Sequence, residues 1–64
     1  MDLNQVEIIS SDKIETIEEN KNLKSSMHNS ETGDYLYRLA FQDKDTLKDF
    51  RKEVENLKSI KKIS

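Results

Sequence analysis

The sequence contains no cysteine, no proline, one glycine and one histidine. Each scarcity excludes something. Without cysteine there is no disulfide framework, no thiolate metal site and no cysteine nucleophile. No apolar run approaches the ~18 residues of a membrane-spanning helix. The N-terminus also lacks the basic-then-apolar order of a secretory signal. No membrane insertion is therefore expected, and a cytoplasmic location is. At 64 residues the chain makes a single small domain, 1–64, and a fold of this size buries only about 60% of the surface its unfolded chain exposes. Leu, Ile, Val and Phe supply 16 of those 64 residues, above the ~20% below which disorder is expected. The chain is predicted to fold around a lean core.

What is abundant is charge, 38% of residues for a net of -2. The near balance hides an asymmetry: residues 1–34 hold eight acids and three bases, and residues 35–64 hold eight bases and five acids. Such a split favours antiparallel or head-to-tail association of two copies and would steer an approaching partner. The simpler reading, two solvated faces, is preferred. Lys58, Lys61 and Lys62 form a basic end, but with no aromatic residue among them and a pI near 5.3 they make a poor nucleic-acid footprint. No nucleic-acid partner is expected.

With so few punctuating residues, each one is informative. Glu31-Thr32-Gly33-Asp34 is the one strong turn signal, since glycine takes positive φ without steric cost and Asp bonds to nearby backbone. The segment Tyr35–Phe41 follows, with Tyr35, Tyr37, Leu39 and Phe41 alternating against Leu36, Arg38 and Ala40. This period-2 pattern predicts a strand with its large side chains under the second helix and Leu36 and Ala40 on a second contact surface. Leu47, Phe50, Val54 and Leu57, spaced 3, 4 and 3, predict a helix with one apolar stripe. Asp43, Asp45 and Asp49 suit the positive end of its dipole. Ile60 and Ile63 form either a short edge strand or two further helical turns. In the N-terminal half, Val6–Ile9 reads as a short strand. Asp12 and Glu15 have capping-box spacing ahead of a two- or three-turn helix carrying Ile14 and Ile17. Leu23–His28 reads as an exposed strand, with Leu23, Ser25 and Met27 on one side, pairing back across Gly33.

Strung together these predict an α+β fold, a small ferredoxin-like βαββαβ sandwich. The alternative is all-α, a helical hairpin or coiled coil with one helix from Tyr35 to about Lys62 and heptad rows through Leu36, Ala40, Leu47, Phe50, Val54 and Leu57. The mixed fold is preferred because Tyr35, Tyr37 and Phe41 would scatter around such a helix.

The chemistry-bearing residues are few. His28 has Glu31 as its nearest acid in sequence, within the turn, and reads as a solvated histidine. Asp43, Asp45 and Asp49 fail the calcium-loop pattern, because a loop begun at Asp43 has Leu47 at position 5 and Lys48 at position 6. Asp12, Glu15, Glu18 and Glu19 read as a solvated acidic cluster, and Ser10 and Ser11 lack a nucleophile elbow. No catalytic residue, metal ligand or cofactor is expected.

The segment "YLYRLAFQDKDTLKDFRKEVENLKSIKKIS" resembles the second half of ACT-type regulatory domains and of the soluble C-terminal domain of MgtC-type membrane proteins. In both, an apolar strand feeds a helix and then a short final strand. Leu47, Phe50, Val54 and Leu57 match the helix, and Ile60 and Ile63 match the last strand. The resemblance covers about half the chain and lies in apolar positions. It implies a regulatory module that dimerises or docks through its sheet, with interface positions at Leu36, Ala40, Ile60 and Ile63. It also implies a small-ligand loop after the first strand, where Ser10-Ser11-Asp12-Lys13-Ile14 has no glycine and Asp12 alone carries over as a ligand-binding residue. The expected function is thus a non-enzymatic association module, acting as a homodimer or on a larger protein partner, with small-ligand sensing at Asp12. The alternative is a stand-alone inhibitor or adaptor, of the kind mobile elements carry, with a helical architecture.

Overall fold

A computed structural model of the chain describes residues 4–64. Six elements follow one another: β1 (Asn4–Ser10), α1 (Glu15–Glu18), β2 (Leu23–His28), β3 (Tyr35–Phe41), α2 (Lys44–Glu55) and β4 (Ile60–Ile63). The fold is α+β, a four-stranded antiparallel sheet in the order β2-β3-β1-β4 with two helices. The all-α alternative is overturned, because Tyr35–Phe41 is an inner strand paired on both sides. Its aromatic and branched residues alternate with the strand period, so a pleated surface buries Tyr37, Leu39 and Phe41 together where a helix would scatter them.

β1 and β3 form the centre of the sheet in the register Val6↔Leu39 and Ile8↔Tyr37. Paired residues share a face, so Val6, Ile8, Tyr37, Leu39 and Phe41 make one apolar floor. Ile14 and Ile17 from the α1 region and Phe50 and Val54 from α2 close the same cluster, which places both helices on one side of the sheet. Phe41 and Phe50 meet with ring centroids 5.2 Å apart. Ser10 is the one buried polar residue among those described. Its hydroxyl donates to the Asp12 carbonyl (2.7 Å) and accepts the Asp12 N–H (3.2 Å), so its burial leaves nothing unpaired.

α2 forms as predicted through Val54. Asp43 is its N-cap: one carboxylate oxygen accepts the Asp45 N–H and the other the Thr46 hydroxyl, both at 3.2 Å. This satisfies a donor that the helix cannot satisfy itself. Leu57 lies beyond the helix end and is 39% exposed, so the predicted stripe stops one apolar position early.

Three further expectations are corrected. α1 is a single turn, and the capping box is absent. Its N-cap is Ile14, which makes no side-chain cap, while Asp12 lies two residues ahead of it. β2 breaks its own alternation, because the register shifts between Leu23 and Ser25. Leu23 packs against the core, and beyond the shift Ser26 and His28, opposite Tyr37 and Tyr35, take the helix side while Ser25 and Met27 take the other. A second shift sets the face of β4. Residues three apart on a regular strand point to opposite faces, yet Ile60 and Ile63 both pack toward the core, since β4 pairs as Ser10↔Ile60 and Ile8↔Ile63 with the irregularity between them. The open choice at Ile60–Ile63 therefore resolves as an edge strand.

The β2–β3 hairpin turns through Asn29–Asp34. Asn29 accepts the Gly33 N–H on its carbonyl (2.7 Å) and the Glu31 N–H on its side chain (3.0 Å). Gly33 has φ +79°, the one positive φ among the described residues. The lone glycine stands where the chain needs it.

Candidate association surface

With both helices on one side, no helix or strand of the described residues packs over the part of the opposite face that carries Ile9, Leu36 and Met27. Its residues fall in rows set by the register. One row runs Lys62–Ile9–Leu36–Met27 across β4, β1, β3 and β2. Ile9 and Leu36 are half-buried and Met27 is 63% exposed, so an apolar track leads from the centre of the sheet to its β2 edge. A shallow cleft of about 200 Å³ opens along it, lined by Ile9, Met27, Leu36 and the hairpin residues Asn29, Thr32 and Asp34.

Two ion pairs flank the track. Arg38 holds Glu7 from the directly opposed position, with Nη2 at 3.0 Å and Nε at 3.1 Å from the same oxygen. Lys61 reaches both carboxylate oxygens of Asp34 at 3.1 Å. Both pairs are solvent-accessible and contribute little stability by themselves. Between them Ile9, Leu36 and Met27 carry no charge, and the charge of the row lies at its β4 end, on Lys62.

The edges of the sheet differ. β4 is four residues long, irregular, and carries Lys61 and Lys62, the features by which proteins blunt an edge. β2 has six residues, five of them exposed, with Lys24 as its one formal charge and no proline. Its outer backbone groups face away from β3 and are open to a further strand.

The helix side holds a polar cluster near the same edge. Tyr37 is fully buried; its hydroxyl accepts the Ile14 N–H (3.1 Å) and donates to Glu18 Oε2 (2.7 Å). Burial pushes its pKa up to about 12; the Ile14 N–H bond opposes this and the Glu18 carboxylate adds to it. Lys13 stands 3.7 Å from the other Glu18 oxygen. Glu18 is thus not the freely solvated acid that the sequence predicts. His28 is exposed, as predicted, and stacks on Tyr35 with centroids 4.4 Å apart. Sequence reasoning missed the link between Tyr37 and α1, because a strand tyrosine and a glutamate 19 residues away carry no local signal of contact.

The other singled-out residues are placed as follows. Asp12 is exposed in the β1–α1 loop, which the Ser10 hydroxyl ties into a tight turn. Leu36 lies on the open face, half-buried. Ala40 shares its strand face but is 6% exposed, so its own chain already covers it. Ile60 and Ile63 are half-buried against the core cluster. The structure therefore brings Leu36 together with Ile9 and Met27, and does not bring it together with Ile60 or Ile63. The doublet Ile8-Ile9 in a strand is the signal that could have found Ile9, since consecutive residues face opposite sides.

A wider cleft, about 420 Å³, lies where the α1–β2 loop meets the start of α2 and includes Lys21, Lys24, Asp43 and Thr46. The Asp43 carboxylate there is already engaged as the helix cap. Among the described residues no three His, Cys, Asp or Glu side chains are grouped to hold a metal ion, and no helix is long and apolar enough to cross a membrane. Comparison of the chain with protein-family models, curated proteins and solved structures finds no match.

Proposed function

We propose that this chain is a non-enzymatic association module that works through the uncovered side of its sheet. The observation carrying the reading is the Ile9–Leu36–Met27 row, apolar, flanked by two ion pairs with Lys62 at its β4 end, and on the side of the sheet opposite both helices. Small domains bury their apolar side chains poorly, and an apolar row that continues to an open strand edge gives a partner strand both backbone groups to pair with and side chains to cover. The element order, with the strand order β2-β3-β1-β4, supports assigning the frame to the ferredoxin-like βαββαβ group, and through it the likeness to ACT-type domains. The single turn of α1 and the glycine-free loop around Asp12 are the departures from that likeness. They favour docking over ligand sensing.

Binding is expected to occur by strand addition at β2, by packing on the open face, or by both. The test is the size of the tagged 64-residue chain in extract of its source cells. Association predicts elution well above the 7.5 kDa monomer and a return to monomer when Leu36 and Met27 are both changed to Lys. Monomeric elution of the unaltered chain in extract, together with a monomer for the purified chain up to about 1 mM, would refute the reading.

A further inference from the structure

Resting on that association reading, we infer that the occupant of the β2 edge is a second copy of this chain, joined by antiparallel β2–β2 pairing on a two-fold axis at Met27. The backbone determines which residues pair. The Asn29 N–H donates to the Asp34 carbonyl at 2.8 Å, so Asn29 faces β3, and with it Met27 and Ser25. Alternation then turns the N–H and C=O of Ser26 and His28 to the free edge. A two-fold axis at Met27 sets Ser26 of each copy against His28 of the other, and these residues supply the groups that exchange hydrogen bonds. Met27 then faces Met27 across a non-hydrogen-bonded position, where side chains approach most closely.

Side chains and charges agree with this register. Met27 ends the Ile9–Leu36–Met27 track. Joining two copies there makes one continuous apolar row across both sheets and covers the most exposed large hydrophobic residue of those described. Lys21 and Lys24 lie at the start of β2 and Glu31 just past its end, and among the described residues none of the three is in an ion pair. Antiparallel pairing brings the basic start of each strand to the acidic end of the other, with Lys24 opposite Ser30 of the second copy and beside its Glu31. Parallel pairing would set like against like. The isologous arrangement also closes on itself and leaves only the short, lysine-bearing β4 edges outermost.

A chain without cysteine permits a direct test with the purified protein. Met27→Cys is expected to oxidise to a disulfide dimer, since directly opposed non-hydrogen-bonded residues lie within disulfide reach. Leu36→Cys, one strand further from the axis, is expected not to. Sedimentation between about 1 μM and about 1 mM is expected to show a monomer–dimer equilibrium, since one strand pair buries less than a standard interface. Ser26→Pro removes a free-edge donor while sparing the β2–β3 ladder, and should weaken dimerisation by about tenfold or more. Should Ser26→Pro fail to fold, the cysteine comparison decides the matter. A monomer throughout that range, or equal crosslinking of the two cysteine variants, would overturn the second copy as occupant. If that monomer still forms a large complex in cell extract, the association reading stands and the edge takes a strand from another protein.

Discussion

Replacing Tyr37 with Phe removes one oxygen atom from a site where two elements depend on it. The ring is fully buried and fits unchanged, so no cavity opens. What is lost is the acceptor for the buried Ile14 N–H at 3.1 Å and the donor to Glu18 at 2.7 Å. Glu18 is partly exposed and regains water at little cost. Ile14 is the N-cap of a four-residue helix with no side-chain cap, and Phe leaves its N–H unpaired. An orphaned buried donor costs about 1–3 kcal/mol, so about 2 kcal/mol is expected. A domain of this size holds roughly 3–10 kcal/mol, and at roughly 4–8 °C per kcal/mol the midpoint should fall by about 10 °C. Urea denaturation of the wild type and of Tyr37→Phe, with Glu18→Gln and the double variant completing the cycle, measures it. Glu18→Gln keeps an acceptor for the tyrosine and should cost under about 1 kcal/mol. A Tyr37→Phe loss below about 0.5 kcal/mol would refute the claim that the Ile14 N–H depends on this hydroxyl as its partner.

The same hydroxyl gives stability a pH limit. A tyrosine whose pKa is about 12 in the fold and 10.0 in the unfolded chain contributes stability that is fully present below pH 10 and lost as pH rises toward 12. The total is on the order of 2 kcal/mol. Alkaline unfolding should therefore flatten in Tyr37→Phe, and tyrosinate absorbance in Tyr35→Phe should rise late; ionisation of Tyr37 near pH 10 in the folded protein would contradict this. Asp43→Ala removes the α2 cap and should cost about 1 kcal/mol, with Asp43→Asn nearly neutral, read by thermal melting followed by circular dichroism. Gly33→Ala meets no atom within 4 Å but must adopt φ +79°. It should cost about 1–2 kcal/mol through backbone strain alone, and a neutral result would mean that the hairpin can rearrange.

Much of the fold was legible in local pattern. β3 and α2 were readable because each repeats its own period over seven and twelve residues, long enough for an apolar face to be unambiguous. The hairpin was readable because one glycine in a chain with no proline marks one place. The presence of α1 was readable too, but not its single turn or its missing cap, since four residues cannot show a helical period and the Ile14 N–H bonds to a tyrosine on another strand. The shifts in β2 and β4 were not legible either, because a bulge reverses alternation without leaving a residue signature.

The sequence by itself determined the poverty of reactive groups and the positions of the strongest elements and favoured the α+β class, all from composition and short-range periodicity; the pairing of Tyr35–Phe41 on both sides excluded the all-α alternative. Only the tertiary structure decided what faces outward. That both helices share one side of the sheet, that Ala40 is covered while Met27 is not, and that Ile9, Leu36 and Met27 line up across three strands depend on register between segments far apart in the chain. Register is a pairing property, and a one-residue shift in either partner would have moved that row to the other face.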